Sequence, residues 1–291
     1  MKYTFTIIIP HKNTPDLLQV CLESIPHRDD TQIIIVDDNS DPSIVDFKNF
    51  PGCGRDNTVV IFDKSNKGAG HARNVALEQI DDTQWLIFAD ADDYFTPYLN
   101  EAMNLYCDSD YDMVYFKRHS VYVGTDTPAT RHQSANSRVD ELIKSGNQDV
   151  IRLKDVGPVC KFVKYSLVKK NNIRFEAIRF SNDVNFFVRV GHYTNKLKID
   201  TNSLYVVTER PGSLVKTITR EALDCRFQAA IRASQFLESV GEGEYHTNLF
   251  SFCYRYSKIS YFLAIKCFLS SLNATPCKYW FSDLKRCIEY I

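Results

Sequence analysis

The sequence lacks the cysteine and histidine patterns that disulfide scaffolds and zinc sites require. It contains nine cysteines, an odd number, with no C-x-x-C pair and no histidine cluster at ligand spacing. Disulfide-rich domains use an even set of cysteines, and zinc sites group their ligands at short spacings. We therefore expect reduced thiols, most of which pack in the core.

Charge of one sign and long apolar runs are also missing. The formal net charge is -1, which argues against nonspecific nucleic-acid binding, because that activity needs a strongly basic surface. Lys258 and Lys266 interrupt the longest apolar stretches, which excludes an ordinary membrane-spanning helix. The first residues form a strand pattern instead of a basic and then apolar export signal, so we expect a cytoplasmic protein.

Strand-like and helix-like segments alternate along the first 120 residues. The chain has 291 residues, 44% of them hydrophobic, enough for one large core or two packed halves. Apolar runs predict strands at residues 4–10, 32–37, 59–63, 85–89 and 113–120. Helices are predicted from Thr14 and Pro15 with a capping hydroxyl, from Asp41 and Pro42, at residues 68–80 and at residues 97–106. This alternation predicts a mostly parallel central sheet flanked by helices.

The acidic stretch after the fourth predicted strand is the most informative part of the chain. Sheets of this kind bind ligands at the carboxyl ends of their strands, and residues 90–93 read Asp-Ala-Asp-Asp at such an end. Asp90 and Asp92 offer hard oxygen ligands to Mg²⁺ or Mn²⁺ and leave coordination positions open for a diphosphate. A solvated acidic turn that caps the next helix is the alternative.

Two further polar clusters follow the second and third predicted strands. At the second, Asp37 and Asp38 offer a carboxylate that can accept hydrogen bonds from a nucleobase or a ribose hydroxyl; a helix-capping turn is the alternative. At the third, residues 66–74 place glycines where a helix begins, with Lys67 and Arg73 as positive charges. Glycines there allow close backbone approach to a phosphate.

In this order the motifs resemble the family 2 inverting glycosyltransferases of the GT-A fold. A second block, beginning at residues 161–162 and ending with Asp183 and residues 186–187, resembles the acceptor half of that family. The resemblance covers about residues 4–215. The motifs that carry its first half are Ile7-Ile8-Ile9-Pro10 with Asn13, Val36-Asp37-Asp38-Asn39-Ser40, Asn66-Lys67-Gly68-Ala69-Gly70-His71-Ala72-Arg73-Asn74 and Phe88-Ala89-Asp90-Ala91-Asp92-Asp93.

The resemblance implies a function and a set of roles. It implies metal-dependent transfer of a sugar from a nucleoside diphosphate donor, a UDP-sugar being favoured, to a hydroxyl of a glycan or lipid-linked glycan in surface polysaccharide biosynthesis. It also implies that Asp38 binds the base, that Arg73 lies near the nucleotide and that Asp183 is the catalytic base. Asp92 would hold Mn²⁺ or Mg²⁺ with support from Asp90. The remaining expected donor-binding residues are Pro10, Asn13, Lys67, Gly68 and Ala91.

The sequence departs from the family pattern at two positions. Asn182 stands where relatives usually carry an acid, and Lys12 stands where they often carry an aromatic residue. We expect Ser181 or Asn182 to cap a helix at residues 183–190, which would leave Asp183 at the mouth of the cleft. A simple interaction with the helix dipole is the alternative for Asp183. Residues 210–214 resemble the family loop that closes over the diphosphate, and a plain turn is the alternative.

The chain divides into three expected parts. Residues 1–120 form the nucleotide-sugar-binding half, residues 121–215 the acceptor-binding half and residues 216–291 a C-terminal helical region. Residues 249–291 contain six Lys or Arg and two Asp or Glu, a composition that suits contact with an anionic membrane at its inner face. A helical cap on the sheet or a dimer contact are alternatives. The expected apolar positions are Phe227, Ile231 and Phe236 on one helix and Phe252, Tyr256, Ile259, Phe262 and Leu269 on another.

Two other functions stay open from the sequence. A non-catalytic module that binds a nucleotide sugar would keep the donor motifs without needing Asp183. An aspartate-dependent phosphohydrolase would form an aspartyl phosphate at a motif like Asp90-Ala91-Asp92, but it would carry its D-x-D on the first strand and Thr or Val where Tyr94 stands.

Overall fold

A computed structural model describes residues 2–210 and 219–289 of the chain. Its strands are β1 (Tyr3–His11), β2 (Thr31–Asp38), β3 (Thr58–Asp63), β4 (Thr83–Phe88), β5 (Tyr94–Phe95), β6 (Met113–Tyr122), β7 (Lys161–Lys164) and β8 (Leu197–Glu209). Its α-helices are α1 (Pro15–Glu23), α2 (Ala69–Glu78), α3 (Tyr98–Tyr106), α4 (Gln133–Ser145), α5 (Asp149–Arg152), α6 (Tyr165–Lys170), α7 (Val184–Tyr193), α8 (Arg220–Ser239), α9 (Ser251–Ser257), α10 (Tyr261–Ala274) and α11 (Cys277–Glu289).

The eight strands form one sheet in the order β3-β2-β1-β4-β7-β6-β8-β5. The pairs among β3, β2, β1 and β4 are parallel, β7 is antiparallel to both of its neighbours, β6 and β8 are parallel, and β5 is antiparallel to β8. Six strands therefore run in one direction and two run against it. This confirms the expected mostly parallel sheet and places the ends of β1, β2 and β4 at one edge.

The sheet is buried on both faces because its central strands are apolar at successive positions. Side chains of a strand alternate between the two faces, so Ile7 and Ile9 of β1 join one hydrophobic cluster and Ile8 joins the other. Helices α1 and α3 cover the first face, and α2, α6 and α7 cover the second. The two layers hold the strand ends, and the polar residues that follow them, in fixed positions.

The C-terminal helices pack on the sheet domain and on one another. Leu237 of α8 contacts the cluster that contains Val188 of α7, while Phe227 of α8 packs against Phe252 and Tyr256 of α9. The single helix expected across residues 252–269 is wrong, because the chain turns between α9 and α10. Among the described residues, no helix has the length and apolar character needed to cross a membrane.

Two expected helix starts need correction. No helix begins at Asp41 and Pro42; the Asp41 carboxylate instead accepts hydrogen bonds from the backbone N–H and hydroxyl of Ser43 at 2.8 Å each, which makes a local turn. Helix α1 does begin at Pro15, as expected. However, the Thr14 side chain makes no capping hydrogen bond there, so the predicted hydroxyl cap is wrong.

Candidate active site

A cavity of about 1180 Å³ lies at the edge of the sheet where β1, β2 and β4 end. Every site residue predicted from the sequence lines this one cavity, including residues that are more than 170 positions apart in the chain. Those residues are Pro10, Asn13, Asp38, Lys67, Gly68, Arg73, Asp90, Ala91, Asp92 and Asp183.

The two carboxylates at the end of β2 have different surroundings. Asp37 is buried and contacts His11 Nδ1 at 2.8 Å, the Ser40 hydroxyl at 2.5 Å and the Ser40 N–H at 2.9 Å. Burial acts to raise the pKa of Asp37, but these hydrogen bonds outweigh it and hold that pKa below its ordinary value. Asp37 therefore has a structural role in shaping the turn after β2.

Asp38 keeps one carboxylate oxygen free of protein partners. Its Oδ2 accepts the backbone N–H of Gly68 at 3.0 Å, whereas its Oδ1 is buried without a hydrogen-bond partner. A buried acceptor without a donor costs free energy, typically about 1–3 kcal/mol. A ligand that donates a hydrogen bond to this oxygen would remove that cost.

The end of β1 supports the same wall of the cavity. Asn13 adopts a left-handed conformation with φ 55°, accepts the backbone N–H of Asp41 at 2.7 Å and donates its own backbone N–H to Ser40. The Lys12 ammonium donates to the backbone carbonyl of Asp38 at 3.0 Å and contacts Asn66. Lys12 thereby joins the loops after β1, β2 and β3, although its side chain stays exposed.

Two glycines at the start of α2 bring the backbone close to the cavity and to the acceptor half. Gly68 has φ 89°, a conformation that disfavours every residue with a side chain. A Cβ atom on Gly70 would lie 2.4 Å from the carbonyl oxygen of Glu176 and 2.7 Å from Cβ of Asn182. At Gly70 the close backbone approach is made to the protein's own loop, and the approach of these glycines to a phosphate stays a prediction.

Arg73 joins the acid cluster to the loop that precedes α7. Its Nη2 donates to Asp90 Oδ1 at 2.6 Å and its Nη1 donates to Asn182 Oδ1 at 3.1 Å. The guanidinium is buried and lies over the ring of Phe175. Asn182, which replaces the acid expected at its position, thus serves as a neutral acceptor for Arg73.

Hydrogen bonds with residues of β8 hold the acidic segment after β4 in position. The backbone N–H of Asp90 donates to the Tyr205 hydroxyl at 2.9 Å, and the backbone N–H of Thr208 donates to Asp93 at 2.7 Å. Burial, followed by the charge of Asp90, raises the pKa of Asp92. The same effects, with the charge of Asp92, raise the pKa of Asp93 well above its ordinary value.

Asp90 and Asp92 fit the donor set of a divalent cation that also binds a substrate. Both are oxygen donors on one wall, and their mutual repulsion is of the kind that a cation relieves. Arg73 contacts Asp90, and Arg210 Nη2 lies 3.2 Å from Asp92 Oδ2. Within residues 2–210 and 219–289 no cluster of three or more Asp, Glu, His or Cys side chains is placed to hold a metal ion.

Asp183 lines the same cavity immediately before α7. It occupies the position just before the helix, and neither Ser181 nor Asn182 caps it through a side chain, so the expected cap is wrong. Burial raises the pKa of Asp183, and the nearby charge of Arg73 opposes this only in part. The carboxylate lines the cavity, which places a proton acceptor there.

The sequence interpretation missed a group of arginines that line the same cavity. Arg210 was expected in a closing loop, but the rest of that loop lies outside the described residues. The missed arginines belong to segments far apart in the chain, and no local motif marks them. They are Arg118, Arg131, Arg179, Arg226 and Arg255.

One of these arginines, Arg118, also belongs to a buried ionic network around Asp155. The carboxylate of Asp155 accepts hydrogen bonds from the Tyr115 hydroxyl at 2.7 Å and from the Lys161 ammonium at 3.1 Å. Arg118 Nη2 lies 3.3 Å from the same carboxylate. Burial acts to raise the pKa of Asp155, but the charges of Lys161 and Arg118 outweigh it and lower that pKa far below its ordinary value.

Solved structures share this architecture. The chain superimposes on S. aureus TarS 1–349 in complex with UDP-GlcNAc with a TM-score of 0.67 at 19% identity, covering 94% of this chain and 82% of that one. It superimposes on the mannosyltransferase PcManGT from Pyrobaculum calidifontis, in complex with GDP-Man and Mn²⁺, with a TM-score of 0.58 at 13% identity, covering 96% and 77%. These likenesses establish the fold, which is the expected GT-A type.

Sequence comparison extends the likeness to the family. An alignment over 215 positions, which covers 71% of this chain, is 30% identical to a poly(ribitol-phosphate) beta-glucosyltransferase of Bacillus spizizenii. That alignment spans 32% of the relative's length, so the chain corresponds to about a third of that protein. The model of the family described as "Glycosyl transferase family 2" matches residues 6–177. This chain therefore belongs to glycosyl transferase family 2.

Proposed function

We propose that this chain is an inverting, metal-dependent glycosyltransferase that moves a sugar from a UDP-sugar to a hydroxyl of a surface polymer. The observation that carries the proposal is that Asp38, Asp92 and Asp183 line a single cavity. They correspond to three needs of the reaction: recognition of the nucleotide, charge at the leaving group and a proton acceptor. The solved complexes of TarS with UDP-GlcNAc and of PcManGT with GDP-Man and Mn²⁺ support the donor class.

The donor nucleotide is bound at the ends of β1 and β2. Asp38 Oδ1, buried without a partner, accepts a hydrogen bond from the base imide or a ribose hydroxyl. Pro10 and Asn13 form the adjacent surface, while Lys67 and Gly68 lie where the diphosphate reaches the start of α2. Backbone N–H groups at a helix start favour bound anions.

Asp92, supported by Asp90, would hold Mn²⁺ or Mg²⁺ together with oxygens of the donor diphosphate. A cation there supplies positive charge to the leaving group, whose negative charge grows as the glycosidic bond breaks. Arg73 fixes Asp90 through its 2.6 Å hydrogen bond, and the backbone bond from Asp90 to Tyr205 fixes the loop. Ala91 is small and buried, which keeps the two acids on the same wall.

Asp183 removes the proton from the attacking hydroxyl. In a single displacement, the acceptor oxygen forms a bond to the anomeric carbon while the bond to the diphosphate oxygen breaks, and the proton passes to the base. The raised pKa of Asp183 makes it a stronger base than an exposed aspartate. The product then has the anomeric configuration opposite to that of the donor.

The acceptor belongs to a surface polymer, by similarity to the relative named for poly(ribitol-phosphate). We further propose that the enzyme works in the cytoplasm at the inner face of the membrane. The exposed side chains Tyr261, Phe262 and Ile265 of α10, with Lys258 and Lys266 beside them, provide the lipid contact. Phe252 and Tyr256, which were expected on that surface, are core residues.

A donor panel tests the proposal. Thermal shift assays with UDP-glucose, UDP-GlcNAc, GDP-mannose and UDP alone, each with and without Mn²⁺, identify the ligand that stabilises the folded state. We expect a UDP compound to raise the melting temperature, and more so with Mn²⁺. Asp38→Asn should remove this shift, while Asp41→Asn, an exposed neighbour, should keep it. A wild-type chain that responds to no nucleotide would contradict the proposed function.

A further inference from the structure

Two cysteines of the C-terminal helices lie in contact outside the candidate active site. Cys253 is on α9 and Cys267 is on α10, and their Sγ atoms are 3.6 Å apart. Neither side chain lines the cavity that contains Asp183. Residues 258–260 connect the two helices, so the sulfur contact closes a short loop between consecutive elements.

The packing around the two sulfurs differs. Cys267 is buried in the hydrophobic cluster that also contains Phe252 and Tyr256, and the Ser271 hydroxyl lies 4.0 Å from its sulfur. Cys253 packs against the same cluster but stays partly exposed. The cluster therefore fixes the position of one sulfur and leaves the other within reach of a small solute.

The two thiols also differ in acidity. The hydrogen bond with Cys267 lowers the pKa of Cys253, whereas the same bond, together with burial, raises the pKa of Cys267. The thiolate is the nucleophilic form of cysteine, so Cys253 is the sulfur that attacks an oxidant first. A reactive, partly exposed thiol beside a second thiol that can resolve its oxidised form is the arrangement of a redox-sensitive pair.

We propose that Cys253 and Cys267 are a site of reversible oxidation by hydroperoxides, which converts the two thiols into a disulfide between α9 and α10. The site is independent of the proposed function, because neither sulfur belongs to the cavity. In a reducing compartment the pair stays as two thiols, and the disulfide forms only on exposure to the oxidant.

The oxidation proceeds in two balanced steps. The Cys253 thiolate attacks one oxygen of hydrogen peroxide, the O–O bond breaks, and a sulfenic acid forms while the departing hydroxide takes up a proton to become water. The Cys267 sulfur then attacks the Cys253 sulfur, and the departing hydroxyl leaves with the Cys267 proton as a second water. Two thiols are oxidised and one peroxide is reduced. The sulfurs must close from 3.6 Å to about 2.05 Å.

Cys287 of α11 is the rival partner for Cys253. Burial and, to a smaller extent, the charge of Cys253 raise the pKa of Cys287, so these two thiols are also near each other. The Cys287 sulfur, however, contacts the two side-chain amide atoms of Asn248 at 3.5 Å and 3.7 Å. Asn248 is itself held by the backbone carbonyl of Asp283 at 2.9 Å. These contacts favour Cys267 as the resolving thiol.

The test is a disulfide map of the full reduced chain after treatment with millimolar hydrogen peroxide. Remaining thiols are alkylated, the protein is digested with trypsin without reduction, and the peptides are identified by mass spectrometry. Lys266 and Lys278 leave Cys267 and Cys277 in one tryptic peptide, so Cys277→Ser is the matched control. The Cys253 peptide should be linked to the peptide of residues 267–278 in wild type and in Cys277→Ser.

Two variants separate the roles of the sulfurs. Cys267→Ser lacks the resolving thiol, so dimedone should trap a sulfenic acid at Cys253. Cys253→Ser should leave Cys267 unmodified, because that thiol is buried. Closing the loop restricts the unfolded chain, so peroxide should raise the midpoint of thermal unfolding of wild type by several degrees. Dithiothreitol should reverse the shift, and neither variant should show it.

Three results would overturn the proposal. The first is a wild type in which exposed Cys53 is oxidised and no link between Cys253 and Cys267 forms. The second is a link from Cys253 to Cys277 or Cys287 instead. The third is a peroxide-induced thermal shift that persists in Cys253→Ser, a change at a partly exposed position that decides the matter even if Cys267→Ser fails to fold.

Discussion

The two walls of the cavity differ in charge and in how the chain builds them. The donor wall carries Asp38, Asp90 and Asp92 on loops that directly follow β2 and β4, within 55 residues of one another. The acceptor wall carries arginines from the segment before α7, from α8 and from α9. Carboxylates suit a cation or a hydrogen-bond donor, whereas guanidinium groups suit an anion. Under the proposed function, donor and acceptor would be recognised by different kinds of interaction.

The largest expected effect is that of changing Asp183, the proposed proton acceptor. Asp183→Asn keeps the shape of the side chain but cannot accept a proton, so turnover should fall by about 10²–10⁴-fold. UDP affinity should change little, because the donor wall is untouched. Steady-state kinetics with a titration of UDP measures both. Near wild-type turnover would remove Asp183 from the mechanism, and so would a product that keeps the donor's anomeric configuration.

The second largest effect concerns the buried ionic network around Asp155. Asp155→Asn leaves Lys161 and Arg118 buried without their counter-charge, which should lower the free energy of unfolding by about 3–5 kcal/mol. Urea denaturation measures the loss. Asp140→Asn, which affects the exposed ion pair with Lys117, should cost less than about 1 kcal/mol. Equal losses in the free energy of unfolding in the two variants would show that the Asp155 network stabilises the fold no more than an exposed ion pair does.

The pKa of Asp155 gives that network a pH dependence with a definite sign. Its folded pKa is lowered, so the ion pairs stabilise the fold at pH values above the ordinary aspartate pKa of about 3.9. This stability is lost as the pH falls below that value, because protons bind the unfolded chain more readily. Wild type should therefore lose more stability than Asp155→Asn on acidification from about pH 4.5 to about pH 2.5. Parallel losses would contradict the assignment.

Asp183 should shape the pH profile of turnover in the opposite sense. Its pKa is raised by burial, so protonation removes the base at a higher pH than for an exposed aspartate. The acid limb of kcat/KM for the acceptor should fall about tenfold per pH unit below that pKa. UDP binding, measured over the same range, serves as the control. An acid limb at the ordinary aspartate pKa would show that burial leaves this group unperturbed.

The smallest effect concerns the outer surface of the C-terminal helices. Lys258→Glu with Lys266→Glu should weaken binding to anionic vesicles, since each basic residue near such a surface contributes about 1 kcal/mol. Sedimentation with anionic and neutral vesicles at low and high salt measures the binding. Lys169→Glu with Lys170→Glu, changed at the end of α6, is the control pair. Protein that stays in the supernatant with every lipid would exclude membrane contact.

The donor wall could be predicted from sequence because its residues follow the strands that position them. An apolar run that ends in Asp37 and Asp38, or in residues 90–93, locates the acids at the edge of the sheet without knowledge of distant contacts. The acceptor wall could not be predicted in this way. Arg226 and Arg255 lie on amphipathic helices, where an arginine is typical of a solvated face. Only the packing of α8 and α9 on the sheet domain brings them to the cavity.

The local errors have a similar cause. The pair Asp41 and Pro42 resembles a helix start, but Phe47 and Phe50 of the same segment stack on each other beside the sheet, and that packing favours an irregular loop. Ser181 and Asn182 resemble helix-capping residues, but the Asn182 side chain accepts a hydrogen bond from Arg73 instead. In both places a tertiary contact outweighs the local preference.

The most direct measurement is the anomalous difference map of a crystal grown with UDP and Mn²⁺. The account predicts a manganese peak within bonding distance of an Asp92 carboxylate oxygen and of diphosphate oxygens, with the base or ribose donating a hydrogen bond to Asp38. A manganese peak elsewhere, or UDP bound away from Asp38 and Asp92, would contradict the assignment of this cavity as the donor site.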